Sequence, residues 1–337
     1  MRVAMLAPIA WRVPPRHYGP WERVVGLLTE GLAALGADVT LFATLDSETS
    51  ARLDGVCPRP YEEAPEIDAG VWSALHVGHA LAEVQRGGFD VVHNHFDWRP
   101  LAYAGLVETP MVTTVHGFSS DRILPAYRAA AHTHFVSISD ADRHPDLDYA
   151  ATVWHGIDLP AFTFRPDPED YLLFFGRIHP DKGAADAVEL ARQSGRRLVL
   201  AGIVQDEAYW RREVEPHVDG DRVRFVGSVG PAERDRLLGG AAALVHLIHF
   251  DEPFGLSVAE ALACGTPVIA RPRGSMPEIV RDGVDGALVD TVGRSAERLA
   301  EVVALDRAAI RAGAEARFSQ ERMARDYLDV YRRIVAG

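Results

Sequence analysis

The chain has 337 residues, 47% of them hydrophobic, with 35 basic and 48 acidic side chains and a formal net charge of −13. That length exceeds a usual single core and predicts two domains of about 150 to 180 residues each. The negative balance argues against a nucleic-acid or anionic-membrane partner, both of which favour the opposite sign.

The first apolar run, residues 2–10, is soon interrupted by Trp11, Arg12 and two prolines, too early for a signal peptide. No stretch approaches the roughly 20 apolar residues of a membrane span, so a cytoplasmic protein is expected. The two cysteines, Cys57 and Cys264, lie far apart and outside metal-type spacing, which predicts free thiols and no zinc site. A strand over residues 3–7 leads through a long loop, 8–20, to a helix over 21–35. No G-x-G-x-x-G motif opens that helix, so nicotinamide chemistry is disfavoured.

Further strands are predicted over 39–43, 91–93, 111–115, 135–138 and 152–154, the pattern of a parallel sheet covered by helices. His93 and His95 stand two apart at one strand end, with Asp97 close by. They read as cleft-lining or structural residues, or as a metal pair with Asp97. His116 ends another strand before Gly117. Its two readings are a satisfied structural histidine and a functional one presented at a strand's carboxyl end.

Residues 158–170 hold Pro160, Pro166 and Pro168 and little periodicity, which marks a domain boundary. Beyond it, strands are predicted over 171–175, 198–201, 223–226, 243–248, 268–270 and 287–289, and a last helix over 320–334. Two doubly wound α/β domains follow. Ligands in such sheets bind beyond the carboxyl ends of the strands, so two of them facing each other place their binding edges across one cleft.

Lys182 is the only lysine among the 35 basic residues. It lies in Gly176-Arg177-Ile178-His179-Pro180-Asp181-Lys182-Gly183, between the strand 171–175 and a helical stretch with apolar Ala184, Ala187, Val188 and Ala191. A lone lysine is either a survivor of codon bias or a compact point charge required at that place. Arg177 and Lys182 bracket a loop leading into a helix N-terminus, where free N–H groups already favour an anion. Each charge about 4 Å from a phosphate is worth roughly 4 kcal/mol before desolvation, so the pair fits a diphosphate.

A second cradle spans Glu252-Pro253-Phe254-Gly255-Leu256-Ser257. Gly255 admits close backbone approach, the helix begins near Leu256, and Gly265 and Pro267 end it. Glu260 lies one turn inside that helix. As plain structure, Glu252 is a solvated loop charge and Glu260 a helix surface acid; as function, both face one ligand.

Glu252 and Glu260 match an E-x7-E pattern. With Gly176-Arg177 and Lys182-Gly183, the chain resembles the retaining nucleotide-sugar glycosyltransferases of family 4, over nearly its whole length. Residues Pro15 to Val25 resemble the family's glycine loop and following helix. Asp90 to His95, Thr113 to Gly117 and Val136 to Ser139 resemble its successive strand ends, and His155-Gly156-Ile157-Asp158 its interdomain linker.

The resemblance implies the GT-B fold. An acceptor-binding Rossmann-like domain would occupy 1–158 and a nucleotide-sugar-binding one 159–318, with a C-terminal helix, 319–337, packed back on the first. It implies transfer of a hexose from a UDP- or GDP-sugar with no metal or added cofactor. In that scheme Arg177 and Lys182 hold the diphosphate as the glycosidic bond breaks, and the amides of Gly255, Leu256 and Ser257 add fixed dipoles. Glu252 orients the donor sugar, Glu260 holds the ribose diol and His116 lies beside the transferred sugar. Gly19, Gly176 and Phe254 line the donor site, and Ile203 and Val229 meet the base. A glycosidase-type carboxylate nucleophile is not evident, and the family's scheme reacts on the front face, with the leaving phosphate taking the acceptor's proton.

The sequence departs from the family at Gly19-Pro20, where two glycines are common, and at His155, where asparagine is usual. Proline removes one N–H donor, which puts the phosphate contact of the first loop in doubt. Residues 1–158 hold 11 basic and 20 acidic side chains, a net −9 that favours a soluble hydroxyl acceptor over a lipid. Such an acceptor is a sugar, an oligosaccharide or a small secondary metabolite. Arginine-rich usage suggests a high-GC genome and a role in antibiotic biosynthesis. The alternatives are a GT-B nucleotide-sugar epimerase and a non-catalytic sugar-nucleotide-binding partner.

Overall fold

The computed structural model describes residues 1–16, 19–117, 120–130 and 133–337. They form two compact units, Met1–Gly156 with Gln320–Gly337, and Ile157–Ser319.

The first unit is built on seven strands: β1 (Arg2–Leu6), β2 (Asp38–Phe42), β3 (Arg52–Asp54), β4 (Val91–Asn94), β5 (Met111–Val115), β6 (Thr133–Ser137) and β7 (Tyr149–Thr152). All pair in parallel, in the order β3-β2-β1-β4-β5-β6-β7. Every residue of β4 and β5 is buried, as expected for central strands covered on both faces. The order reverses between β1 and β4, so the loops after these two strands diverge and leave a crevice at the carboxyl edge.

Helix Pro20–Ala34 starts on a Pro at its first position, a residue whose missing N–H is not needed there. It packs on helix Gln320–Val335, and Gly31 lets the two approach closely: a Cβ there would stand 2.9 Å from Ala324 Cβ. The later helix buries Met323, Ala324, Tyr327, Leu328, Val330 and Tyr331.

The second unit carries β8 (Tyr171–Phe175), β9 (Arg197–Ala201), β10 (Val223–Gly227), β11 (Ala243–His246), β12 (Val268–Ala270) and β13 (Gly286–Leu288). These are also all parallel, in the order β10-β9-β8-β11-β12-β13, with the reversal between β8 and β11. The expectation of two doubly wound α/β domains is therefore met.

Three details differ from the sequence reading. The short strand β3 was not anticipated; only three residues pair with β2, too few for a periodic signal. β7 lies three residues before its predicted position, with Tyr149 edge-on to Phe135 at 6.4 Å. β11 stops at His246 although Leu247 and Ile248 are fully buried. Their carbonyls instead accept from the Arg271 guanidinium at 3.0 and 3.3 Å, leaving the ladder to make room for the loop that follows.

Candidate active site

In the second unit, the loops after β8 and β11, the two strands at the switch point, carry the charged residues. After β8 the chain makes a single 3-10 turn, Pro180–Lys182, capped by the His179 side chain, before helix Ala184–Ser194. Gly183 joins the two in a left-handed conformation with φ +75°, and a Cβ there would lie 2.1 Å from the Leu247 carbonyl oxygen. The two loops therefore touch backbone to backbone, and the His249 amide donates to the Asp181 carbonyl at 2.7 Å.

That contact brings Lys182 to Glu252 across 70 residues of sequence: Lys182 Nζ donates to Glu252 Oε2 at 2.8 Å. The ammonium also lies over the Phe250 ring, 4.3 Å from its centroid. His246 Nε2 stands 3.6 Å from the same carboxylate oxygen, an electrostatic neighbour beyond hydrogen-bond length. The pair is 17% and 12% exposed in its side chains. Burial alone would raise the Glu252 pKa, but His246 and Lys182 together bring it down to about 2. Glu252 is thus a carboxylate at every working pH, an acceptor and never a proton donor.

Arg177 follows Gly176 at the end of β8 and donates to the neutral side-chain amide of Gln205. Its charge is therefore not cancelled by that partner. Gly176 and Gly202 approach so closely that a Cβ on Gly202 would overlap the Gly176 carbonyl. Ile203 is exposed, Val229 is half-buried beyond the end of β10, and the Ile178 amide donates to the Ile203 carbonyl at 2.8 Å.

Helix Leu256–Ala263 begins at Gly255, whose φ of 90° no side-chain-bearing residue adopts comfortably. Phe254 and Gly255 are buried, Leu256 and Ser257 half-buried. Glu252 sits three residues before this N-terminus, held by the Ser275 amide, which donates to its carbonyl at 2.8 Å. Glu260 has a different partner from the Lys182 pair. It is almost fully buried, ion-paired through Oε1 with the Arg234 guanidinium, while its Oε2 has no hydrogen-bond partner among the described residues.

The remaining expected residues, Gly19 and His116, belong to the first unit. Gly19 caps helix Pro20–Ala34 with φ 143° and ψ 70°. His17 and Tyr18, in the preceding loop, lie outside the described residues. His116 follows β5 and is the centre of a line of imidazoles along the carboxyl edge of the sheet. Its Nε2 meets His95 Nδ1 at 2.8 Å and its Nδ1 meets His155 Nε2 at 3.4 Å. His95 Nε2 in turn meets His93 Nδ1 at 3.2 Å. Trp21 stacks on the His116 ring, with centroids 5.3 Å apart and planes at 18°.

Tyr331 and Tyr327, from helix Gln320–Val335, close the inner end of the line. The Tyr331 hydroxyl is 2.6 Å from His93 Nδ1, and the Tyr327 hydroxyl is 2.7 Å from Thr114 Oγ1, itself 2.7 Å from His93 Nε2. Burial holds all four imidazoles neutral: the His116 pKa falls to about 3, and those of His93, His95 and His155 lie well below the usual value. Asp97 turns instead to the Tyr127 hydroxyl. Sequence reasoning grouped His93, His95 and Asp97 but missed His246, close to Glu252 in sequence yet at the end of a strand, and Trp21, Tyr327 and Tyr331, whose partners lie dozens to hundreds of residues away.

Two all-parallel sheets, each reversing at a central pair of strands, with paired charges over the second switch point, define a protein of two doubly wound α/β domains, a class whose ligands bind at such switch points. Comparison with known families agrees: residues 158–317 match the glycosyl transferases group 1 model and residues 21–159 the Glycosyltransferase Family 4 model. A D-inositol 3-phosphate glycosyltransferase of Nocardioides sp. is 33% identical, covering 91% of this chain and 83% of its own. A glycogen synthase of Mycobacterium tuberculosis is 29% identical over 85% of this chain and 81% of its own. Among solved structures, AviGT4, a glycosyltransferase involved in avilamycin A biosynthesis, superposes with a TM-score of 0.75 at 26% identity, covering 100% of this chain and 98% of its own. The chain belongs to the family 4 glycosyltransferases, of the GT-B fold class, and is a glycosyltransferase that uses a nucleotide sugar. No helix among the described residues is long and apolar enough to cross a membrane.

Proposed function

We propose that this enzyme is a retaining hexosyltransferase that moves a hexose from a UDP- or GDP-sugar to a hydroxyl of a soluble acceptor. The observation that carries this reading is the Lys182–Glu252 pair, held 2.8 Å apart where two loops meet over the switch point. A diphosphate entering there takes the Lys182 ammonium as a counter-charge and Arg177 as a second. The helix N-terminus at Gly255, Leu256 and Ser257 supplies amide dipoles to the charge that grows on the leaving phosphate. Glu252, kept ionised, accepts hydrogen bonds from donor-sugar hydroxyls. The unpartnered Oε2 of Glu260 suits a ribose hydroxyl donor.

In this reading His116 meets the transferred sugar, Gly176, Ile203, Val229 and Phe254 shape the donor pocket, and Gly19 is a further donor-binding residue. The nucleotide-sugar domain is residues 159–318, the acceptor domain 1–158 with the C-terminal helix 319–337. No metal or cofactor takes part. The relatives are named for D-inositol 3-phosphate and for glycogen, and AviGT4 is involved in avilamycin A biosynthesis. A sugar, an oligosaccharide or a secondary metabolite therefore fits best as acceptor, and the −9 charge of residues 1–158 supports a neutral one. The test is a thermal-shift panel of UDP, GDP, ADP and dTDP with their hexose conjugates, on the wild type and on Lys182→Ala. Stabilisation by one base that is lost in the variant is the expected result; a response unchanged by Lys182→Ala overturns the assignment of the diphosphate site.

A further inference from the structure

The imidazoles of the first unit form one hydrogen-bonded line, and the direction of their protons is set at its buried end. Each ring is neutral and so offers one donor and one acceptor. Tyr331 is fully buried, and burial keeps its phenol protonated. Among the described residues its hydroxyl meets one hydrogen-bond acceptor, His93 Nδ1 at 2.6 Å. A buried hydroxyl proton without an acceptor is costly, so Tyr331 donates and takes the Nδ1 lone pair. His93 is then protonated on Nε2 and donates to Thr114 Oγ1 at 2.7 Å.

His95 Nε2 faces the same His93 nitrogen at 3.2 Å. The lone pair of that nitrogen is held by Tyr331 at 2.6 Å, and a bare lone pair on His95 Nε2 would still face the negative end of the His93 ring; His95 therefore carries its proton on Nε2, the longer and weaker of two donors sharing one nitrogen, and bares Nδ1. His116 Nε2, 2.8 Å from that bare nitrogen, must be the donor, which leaves His116 Nδ1 as an acceptor. Its contact to His155, at 3.4 Å, is the longest link in the line and the one a hydroxyl most readily replaces. Trp21, stacked on the ring face, resists rotation that would exchange the two nitrogens.

We propose that His95 is a positioning residue: backed by His93 and Tyr331, it holds His116 in the Nε2–H form, so that His116 offers Nδ1 as a hydrogen-bond acceptor to a sugar hydroxyl. The proposal rests on the reading of His116 as a residue at the transferred sugar. Sequence spacing cannot show it, because the order of protons starts at a tyrosine 215 residues beyond His116.

The test begins with ring-nitrogen NMR of protein labelled with 15N-histidine, which needs no ligand. His95 and His116 are expected to show protonated Nε2 and bare Nδ1, with a through-hydrogen-bond coupling between His116 Nε2 and His95 Nδ1. His116 protonated on Nδ1 overturns the proposal. Diphosphate release is then measured with UDP-glucose and GDP-glucose in parallel for His95→Leu, His95→Asn and His116→Ala, each checked for folding by its melting curve. His95→Leu is expected to lower kcat about tenfold with KM for the donor little changed, as when the partner that orients a working imidazole is lost. His95→Asn restores an acceptor for His116 and should recover to within about threefold of the wild type. Full kcat in His95→Leu alongside an impaired His116→Ala overturns the positioning role. Full kcat in His116→Ala removes the reading of His116 itself, and the functional half of the proposal with it.

Discussion

Replacing Lys182 tests whether its ion pair supports the protein as well as its ligand. At 2.8 Å, two unit charges attract by about 6 kcal/mol at an effective dielectric of 20, before the loss of hydration is subtracted. Both side chains are largely buried, so removing one partner strands the other charge away from water. The fall of the Glu252 pKa from 4.5 to about 2 corresponds to roughly 3 kcal/mol of preference for its ionised form, shared between His246 and Lys182. A coupling of about 1 to 3 kcal/mol is therefore expected from a double-mutant cycle of Lys182→Met and Glu252→Gln. Each single variant should unfold at lower urea than the wild type, and the double variant should recover much of the loss. Intrinsic fluorescence of Trp210, which lies on the second unit's core, gives the unfolding curve for that unit. Additive losses would mean that the pair contributes nothing beyond its separate members, and the account of a mutually stabilised site would be wrong.

Glu22 gives a pH signature in the first unit. It is buried in the first turn of helix Pro20–Ala34, accepts from the Trp11 amide at 3.2 Å, and burial raises its pKa to about 7. Its contribution to stability is present below the unfolded value near 4.5 and is lost as pH rises through about 7, a penalty of roughly 3 kcal/mol. Glu22→Gln keeps the acceptor and removes the charge. It should raise the melting temperature at pH 8 and leave it nearly unchanged at pH 5; equal effects at both would contradict the assigned pKa. Gly183→Ala is expected to cost about 3 kcal/mol or more, because the new Cβ meets the Leu247 carbonyl and the left-handed φ is strained. A variant as resistant to urea as the wild type would show that the two loops do not depend on that contact.

The two parallel sheets were legible because a buried parallel strand reads as a continuous apolar run, and twelve such runs stood at spacings that leave room for helices. The Lys182 loop was legible as a local pattern of glycine, cations and a helix start. Its pairing with Glu252 was not, since nothing local states that β8 and β11 are neighbours; the switch in strand order does. His155, read as a departure in the linker, instead joins the imidazole line, and Leu247 and Ile248 look like strand yet give their carbonyls to Arg271. In each case a long-range polar partner outweighed the local preference. Such partners leave no periodic trace in the chain.

The helix Gln320–Val335 has a consequence for how the molecule is made. Tyr327 and Tyr331 fill the floor of the first unit, yet the whole of Ile157–Ser319 is translated before them. Until those two tyrosines have been made, Thr114 and His93 lack the hydroxyls that meet them in the finished unit. Folding strictly in order from the N-terminus, the usual course for a nascent chain, therefore leaves the first unit incomplete until the second has been made.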